Sequence, residues 1–367
     1  MRVYLDHNAT TPLRLEARVA MQAAMDVMGN PSSVHAEGRA AKALIERARA
    51  QVAALVGCTR AQVIFTSSAT EAAALAVAQK DRHGGGFAAL PTEHDCMRVW
   101  SEVDMPSAFD SAGAFDASAF DAVIGEALVA VSAANSETGV MLPDRSVAAR
   151  AGAGQAVVCD ITQMAGKMPI RFGDTKPAYA ILSAHKLGGP KGVGAFINFT
   201  ADDPTPILRG GGQEMNRRSG TENVIGIAGF GAAAEAAAQD VASGRWDRVA
   251  ELRNILENAL EASAKKTIFV GKGAPRLPNT SCLIAEGWKG ETQVMQMDLA
   301  GFAISAGSAC SSGKVKASTV LRAMGFDEVQ ASGAIRVSLG LETTKEDVLR
   351  FADTWLAKRE KHEQRAA

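Results

Sequence analysis

The 367-residue chain is short of four things, and each absence narrows the reading. It has no run of apolar residues long enough to span a membrane, which takes roughly 18 or more. Its first residues, MRVYLDHNATTP, contain no apolar signal region. It has no surplus of either charge: 39 basic residues face 40 acidic ones, net -1, and no basic run stands out. Nucleic acid is therefore not expected as a main ligand. Cysteine is sparse. The five residues, Cys58, Cys96, Cys159, Cys282 and Cys310, form no CxxC pair, which argues against both a zinc site and a disulfide framework. A reducing cytoplasm is the expected compartment.

What is present is organised around residues 179–195, YAILSAHKLGGPKGVGA. An apolar run, Tyr179 to Leu182, ends in Ser183-Ala184-His185-Lys186 and then in four glycines and a proline. This reads as a buried strand entering a loop. Lys186 is thus placed just past a strand end, where backbone approaches a ligand closely. Partial desolvation there would lower the amine pKa and make it a nucleophile for a carbonyl. A lysine on a solvated glycine turn is the alternative.

Other segments repeat the pattern. Gln62–Thr66 reads as a strand, Ser67-Ser68-Ala69-Thr70-Glu71 as a turn, and Ala72–Ala78 as a helix. A helix N-terminus with hydroxyls suits an anion, although a capping box needs no ligand. Strands near Phe87–Leu90, Val129–Ser132 and Ala156–Asp160 lead to His94, to Asn135-Ser136-Glu137 and to Asp160-Ile161-Thr162-Gln163. Strands alternating with helices imply a mainly parallel sheet, with ligands beyond the strand carboxyl ends. Thr70, His94, Asp160, Gln163 and Lys186 then share one edge. Helices are expected over Leu13–Met28, Glu37–Val56 (stopped by Gly57), Gly226–Ser243 and Trp246–Ser263. Past Trp246, short strands near Ile268, Ser281–Ala285 and Ala334–Leu339 alternate with helices near Thr292–Asp298, Thr319–Met324 and Lys345–Leu356. That mixture suggests a smaller α+β unit. The tail from Lys358 reads as a frayed helix end.

These residues meet the demands of pyridoxal phosphate: a Schiff-base lysine (Lys186), a carboxylate for the pyridine nitrogen (Asp160), a helix N-terminus for the phosphate (Ala69-Thr70) and a flat ring partner (His94). The blocks YLDHNATTP, GNPSSVH, VIFTSSATE, NSETG, LSAHKLGGPKGVGA, GGGQE, RRSGTEN and SAGSACSSG, in that order along the chain, resemble the cysteine desulfurases of the class V aminotransferase family. The resemblance implies a fold-type I α/β enzyme. Its large domain, 12–245, would hold a mainly parallel seven-stranded sheet. Its smaller α+β domain, 1–11 with 246–367, would carry a long cysteine loop and a substrate-carboxylate arginine.

By the same resemblance Lys186, His94 and Cys310 are catalytic. Ala69, Thr70, Asn135, Ser136, Asp160, Gln163, Ser183 and His185 bind cofactor, with Thr221 arriving from the second subunit of a homodimer. Arg336 clamps the substrate carboxylate, with Asn8 and Asn30 near the substrate. L-cysteine is the implied substrate and a sulfur-acceptor protein the implied partner, in iron–sulfur cluster assembly or other sulfur transfer. Selenocysteine lyase, aminotransferase and non-catalytic cofactor-binding or sulfur-relay readings remain alternatives. Two departures stand out. Ser136 replaces the second of two usual asparagines, and Met215 replaces a usual arginine. The segment between His94 and Asn135 and the C-terminus are also shorter than usual.

Overall fold

The structure, a computed structural model, describes residues 2–143, 146–173, 175–264, 266–307 and 317–366. Cys310 therefore lies outside the described residues. The strands are β1 Val3–Tyr4, β2 Val63–Thr66, β3 Gly86–Ala89, β4 Ala127–Ser132, β5 Val157–Asp160, β6 Tyr179–Ser183, β7 Gly194–Asn198, β8 Thr267–Phe269, β9 Thr280–Ala285, β10 Phe302–Ala303, β11 Ser305–Ala306 and β12 Ala334–Ser338. The helices are α1 Leu15–Met25, α2 Ala36–Val56, α3 Ala69–Val77, α4 Asp95–Arg98, α5 Ser146–Gly152, α6 Val224–Ala242, α7 Arg245–Ser263, α8 Gly290–Leu299, α9 Thr319–Ala323, α10 Glu328–Ser332 and α11 Lys345–Ala366.

Strands β3, β4, β5 and β6 pair in parallel, and β7 returns antiparallel between β6 and β2. The order is β2-β7-β6-β5-β4-β3, six strands among the described residues rather than the expected seven. Beyond β3 the edge position is held by a single parallel bridge, Ala88 with Val103. Pro106, which lacks an amide hydrogen, follows closely and cannot extend a ladder.

Both faces of this sheet are covered, which is why its strands read as unbroken apolar runs. Side chains alternate between the faces. Val129, Val131, Val157, Cys159, Ala180 and Leu182 join a core with α2 and α6 residues such as Val52 and Phe230. Leu128, Ala130, Val158, Tyr179 and Ile181 join a second core with α3. Helix α2 ends at Gly57, whose φ of 74° is left-handed, as its C-cap position requires.

A separate antiparallel sheet, β11-β12-β9-β8, has its own core with Trp246, Leu256, Trp288, Phe351 and Trp355. Val3 and Leu5 pack into that same core. The C-terminal helix does not fray after Leu356. It runs on to Ala366, because His362 stacks on Trp288 at 5.6 Å and Arg359 donates to Thr267 Oγ1 at 2.7 Å. Among the described residues no helix is long and apolar enough to cross a membrane.

One buried carboxyl ties neighbouring strand ends together. Glu93, 3% exposed, accepts from Ser132 N at 2.8 Å and Ser132 Oγ at 2.5 Å. Burial, above all, pushes its pKa from 4.5 up to about 8 against those hydrogen bonds, with Asp160 adding to the rise. The folded state thus binds more protons than the unfolded chain between these values, so stability falls as pH climbs from about 4.5 to about 8 and stays lost above. Glu93→Gln should remove this loss. In calorimetry from pH 5 to 9 the variant's Tm should fall less than the wild type's, by roughly a few degrees. Parallel curves would contradict the assignment.

Candidate active site

The parallel register stops β3 to β6 at one edge, and the turns that follow converge there. Ser132 pairs with Asp160, so β4 and β5 end level, and Asp160 pairs with Ile181, so β6 runs two residues further, to Ser183. Beyond them lies a cavity of about 220 Å³. Its walls include Ala69, Thr70, His94, Asn135, Ser136, Asp160, Gln163, Ser183, His185 and Lys186, all singled out by sequence. Ser68, Cys96 and Thr162 complete much of the rest.

The turn after β2 is pressed against β7. A Cβ on Gly194 would lie 2.5 Å from the Ser68 carbonyl carbon, so only glycine allows the approach. Ser68 caps α3, its Oγ accepting from Glu71 N at 3.3 Å, and the helix begins at Ala69, three residues earlier than expected. The capping reading of this turn therefore holds, and the helix N-terminus still faces the cavity. His94 caps α4: its Nδ1 accepts from Cys96 N at 3.1 Å, which leaves the proton of a neutral ring on Nε2.

Asp160 is 8% exposed and accepts from Thr162 N at 2.8 Å. Lys186 follows β6 on a short 3-10 turn and donates to the carbonyls of Asn8 at 2.6 Å and Ala9 at 2.8 Å. His185 sits 3.1 Å from Thr10 Oγ1. Burial foremost, then Lys186, Lys191 and Lys167, lowers its pKa to about 4, so it is neutral at physiological pH.

Other candidates stand elsewhere. Asn8 is a buried hub rather than a cavity wall. Its Nδ2 donates to Thr280 Oγ1 at 2.8 Å and Ser136 O at 3.2 Å, and its Oδ1 accepts from Asn279 at 3.1 Å. Arg336, on β12, donates to Ser136 O at 3.0 Å and Asp6 Oδ1 at 2.8 Å, while its buried Nε has no partner. Ser136 thus meets both Asn8 and Arg336 through its backbone carbonyl, which any residue supplies. Asn135 spends its side-chain oxygen on Glu137 N and Thr138 N, both at 2.9 Å, inside its own turn. Asn30 lies in the exposed turn between α1 and α2, its Oδ1 accepting from Ser32 N at 2.9 Å, outside the cavity. Thr221 lines a different pocket, with Ser67, Glu214 and Arg218.

Met215 belongs to an unusual turn. Glu214, Met215 and Asn216 all have left-handed φ, at 48°, 58° and 66°. Such a conformation costs roughly 1–2 kcal/mol per residue. It is held by the buried Glu214 carboxylate, which takes Arg49 bidentately at 2.6 and 2.8 Å and Phe65 N at 3.0 Å.

The thiols separate cleanly. Burial pushes Cys58 up to about 11 and Cys282 up to about 12, and raises Cys96 and Cys159 further still. All four stay protonated, so Cys96, although it lines the cavity, is a poor nucleophile. Sequence reasoning passed over two residues. Lys167 is buried beneath Gln163, and Glu137 Oε2 accepts from Ser318 Oγ at 2.5 Å. A lysine amid Ala165, Gly166, Met168 and Pro169 was the available signal for the first.

The cavity fits pyridoxal phosphate by its donor set. A buried carboxylate ends β5, and a helix N-terminus with Thr70 follows β2, three strand positions away, which suits a ligand with a basic nitrogen at one end and a phosphate at the other. Thr162 Oγ1, buried and without a partner, leaves a polar atom free on the cavity wall. Among the described residues no cluster of His, Cys, Asp and Glu is suited to a metal ion.

Known proteins resemble this chain along most of its length. The Aminotransferase class-V family matches residues 3–351. A cysteine desulfurase of Klebsiella pneumoniae is 40% identical over 95% of this chain and 90% of its own length. The cysteine desulfurase IscS of Dictyoglomus turgidum is 34% identical over 94% of this chain and 91% of its own. The solved NifS-like protein of Rickettsia africae superposes with a TM-score of 0.88 at 29% identity, covering 98% of this chain and all of that one. This chain belongs to the class V aminotransferases, the pyridoxal-phosphate-dependent family that includes the cysteine desulfurases.

Proposed function

We propose that the protein removes sulfur from L-cysteine, giving L-alanine and a persulfide on Cys310 that passes to an acceptor protein for iron–sulfur cluster assembly or other sulfur transfer. The observation that supports this most is the meeting of Lys186, Asp160, His94 and the α3 N-terminus on one cavity.

Lys186 would hold the cofactor covalently. Asp160 would keep its ring nitrogen protonated, His94 would face the ring, and Thr70, Ser183 and His185 would take the phosphate. Bound there, pyridoxal phosphate supplies an electron sink that acidifies the Cα proton of an amino acid. The Lys186 amine, freed by the substrate, removes that proton. The guanidinium of Arg336, already at the cavity rim through Ser136 O, would hold the substrate carboxylate by its fork.

Cys310 thiolate attacks the substrate sulfur. The new S–S bond forms as the C–S bond breaks, and Cα and Cβ take up protons to leave alanine. The four described cysteines are held protonated by burial, which makes each a poor nucleophile toward the substrate sulfur. Gly307 N donates to Ala334 O at 3.1 Å, and Ser318 Oγ donates to Glu137 Oε2 at 2.5 Å.

The reading includes a homodimer, in which Thr221 completes the partner's phosphate site, and a reducing compartment such as the cytoplasm. It also divides the chain into a cofactor-binding unit, 12–245, and a smaller unit, 1–11 with 246–367. The shared core of Val3, Leu5 and residues beyond Trp246 supports that division.

Three outcomes test this reading. Borohydride reduction of the cofactor-loaded protein, followed by peptide mapping, should place the pyridoxyl group on Lys186; another lysine would refute the site. Cys310→Ser should still load cofactor and bind cysteine but lose alanine release on the order of 10⁴-fold, because serine is a poor nucleophile toward sulfur. A loss within about tenfold would make Cys310 a loop residue. For the dimer, mixed Lys186→Ala and Thr221→Ala subunits should regain activity through one intact composite site. No rescue in verified heterodimers would rule out sharing.

A further inference from the structure

Lys167 is 2% exposed, yet no carboxylate lies within ion-pair distance of it among the described residues. Among the described residues its Nζ hydrogen-bonds Gln163 alone, donating to the backbone oxygen at 3.0 Å and to Oε1 at 3.1 Å. Burying an amine without a counterion is costly, so its retention asks for a reason. Burial foremost, with Lys186 and Arg336 adding, lowers its pKa to about 7.

The other half of the Gln163 amide answers. Nε2 donates to Asn8 O at 2.9 Å, the same carbonyl that receives Lys186 Nζ at 2.6 Å. An amide has one acceptor and one donor end. A donor on one side and a carbonyl on the other select one of its two orientations. The second Nε2 hydrogen is then left for the cavity that Gln163 lines. Without Lys167, Oε1 would be buried and unpaired, and the preference for this orientation would weaken.

We propose that Lys167 is a positioning residue: it fixes the Gln163 amide so that an N–H, and not a carbonyl, faces the anionic ring oxygen of a bound pyridoxal phosphate. This rests on the reading of the cavity given above. An N–H donor stabilises the deprotonated oxygen, so its loss must raise the pH at which the bound cofactor titrates.

The test is a spectroscopic pH titration of full-length protein loaded with pyridoxal phosphate, with cofactor content and Tm measured alongside. Lys167→Met should raise the cofactor's titration midpoint by about one unit, roughly tenfold in the proton equilibrium. Gln163→Ala should raise it similarly, and the double variant should go no further, because one residue acts through the other. Lys167→Arg, which keeps donors toward Oε1, should stay near wild type. Lys167→Leu replaces the methionine variant if that one does not fold. An unmoved midpoint in Lys167→Met, or additive shifts in the double variant, would overturn the proposal. Wild-type protein that takes up no pyridoxal phosphate would instead overturn the functional reading itself.

Discussion

The carbonyl of Asn8 accepts Lys186 Nζ at 2.6 Å and Gln163 Nε2 at 2.9 Å, and much of the site's geometry follows from it. Asn8 belongs to neither sheet. The strand before it, β1, pairs with β10, and His7 N bonds to Ser338 O on β12 at 3.1 Å. The segment then crosses to the edge of the large sheet, where Thr11 Oγ1 donates to Lys186 O at 2.9 Å. The large sheet and the small antiparallel sheet are thereby tied together at the lysine. A shift of one against the other would move the acceptors of Lys186, which couples the packing of the small sheet to the chemistry of the cavity.

The buried ionisable groups fall into two kinds. Buried groups without a full counter-charge lean to neutrality: Glu93 is pushed up to about 8, Lys167 down to about 7 and His185 down to about 4. Two buried arginines are paired with carboxylates. Arg336 has Asp6 at 2.8 Å, and Arg49 has Glu214 at 2.6 Å.

The large sheet was legible because both its faces are buried and each strand is a short apolar run closed by polar or glycine residues. The residues after those runs, Thr70, His94, Asp160, Gln163 and Lys186, do meet on one cavity. The strand count was not legible, since a bridge as brief as Ala88 with Val103 leaves no periodic trace. Nor was the end of α11, whose last turns are held by Trp288 and Thr267 from distant parts of the chain. The family resemblance places Asn8 near the substrate and Asn135 at the cofactor, and Asn135 does line the cavity. Their side chains are consumed by Thr280, Asn279, Thr92 and the turn after Asn135, partners that no local pattern reveals.

The central claim is that one chain both activates cysteine at Lys186 and takes its sulfur on a thiol. The most direct measurement is product stoichiometry from purified, cofactor-loaded protein given L-cysteine and a thiol reductant. The account requires alanine and sulfide in equal amounts, over many turnovers, with no pyruvate or ammonia. Pyruvate with ammonia in place of alanine, or sulfide without alanine, would contradict it.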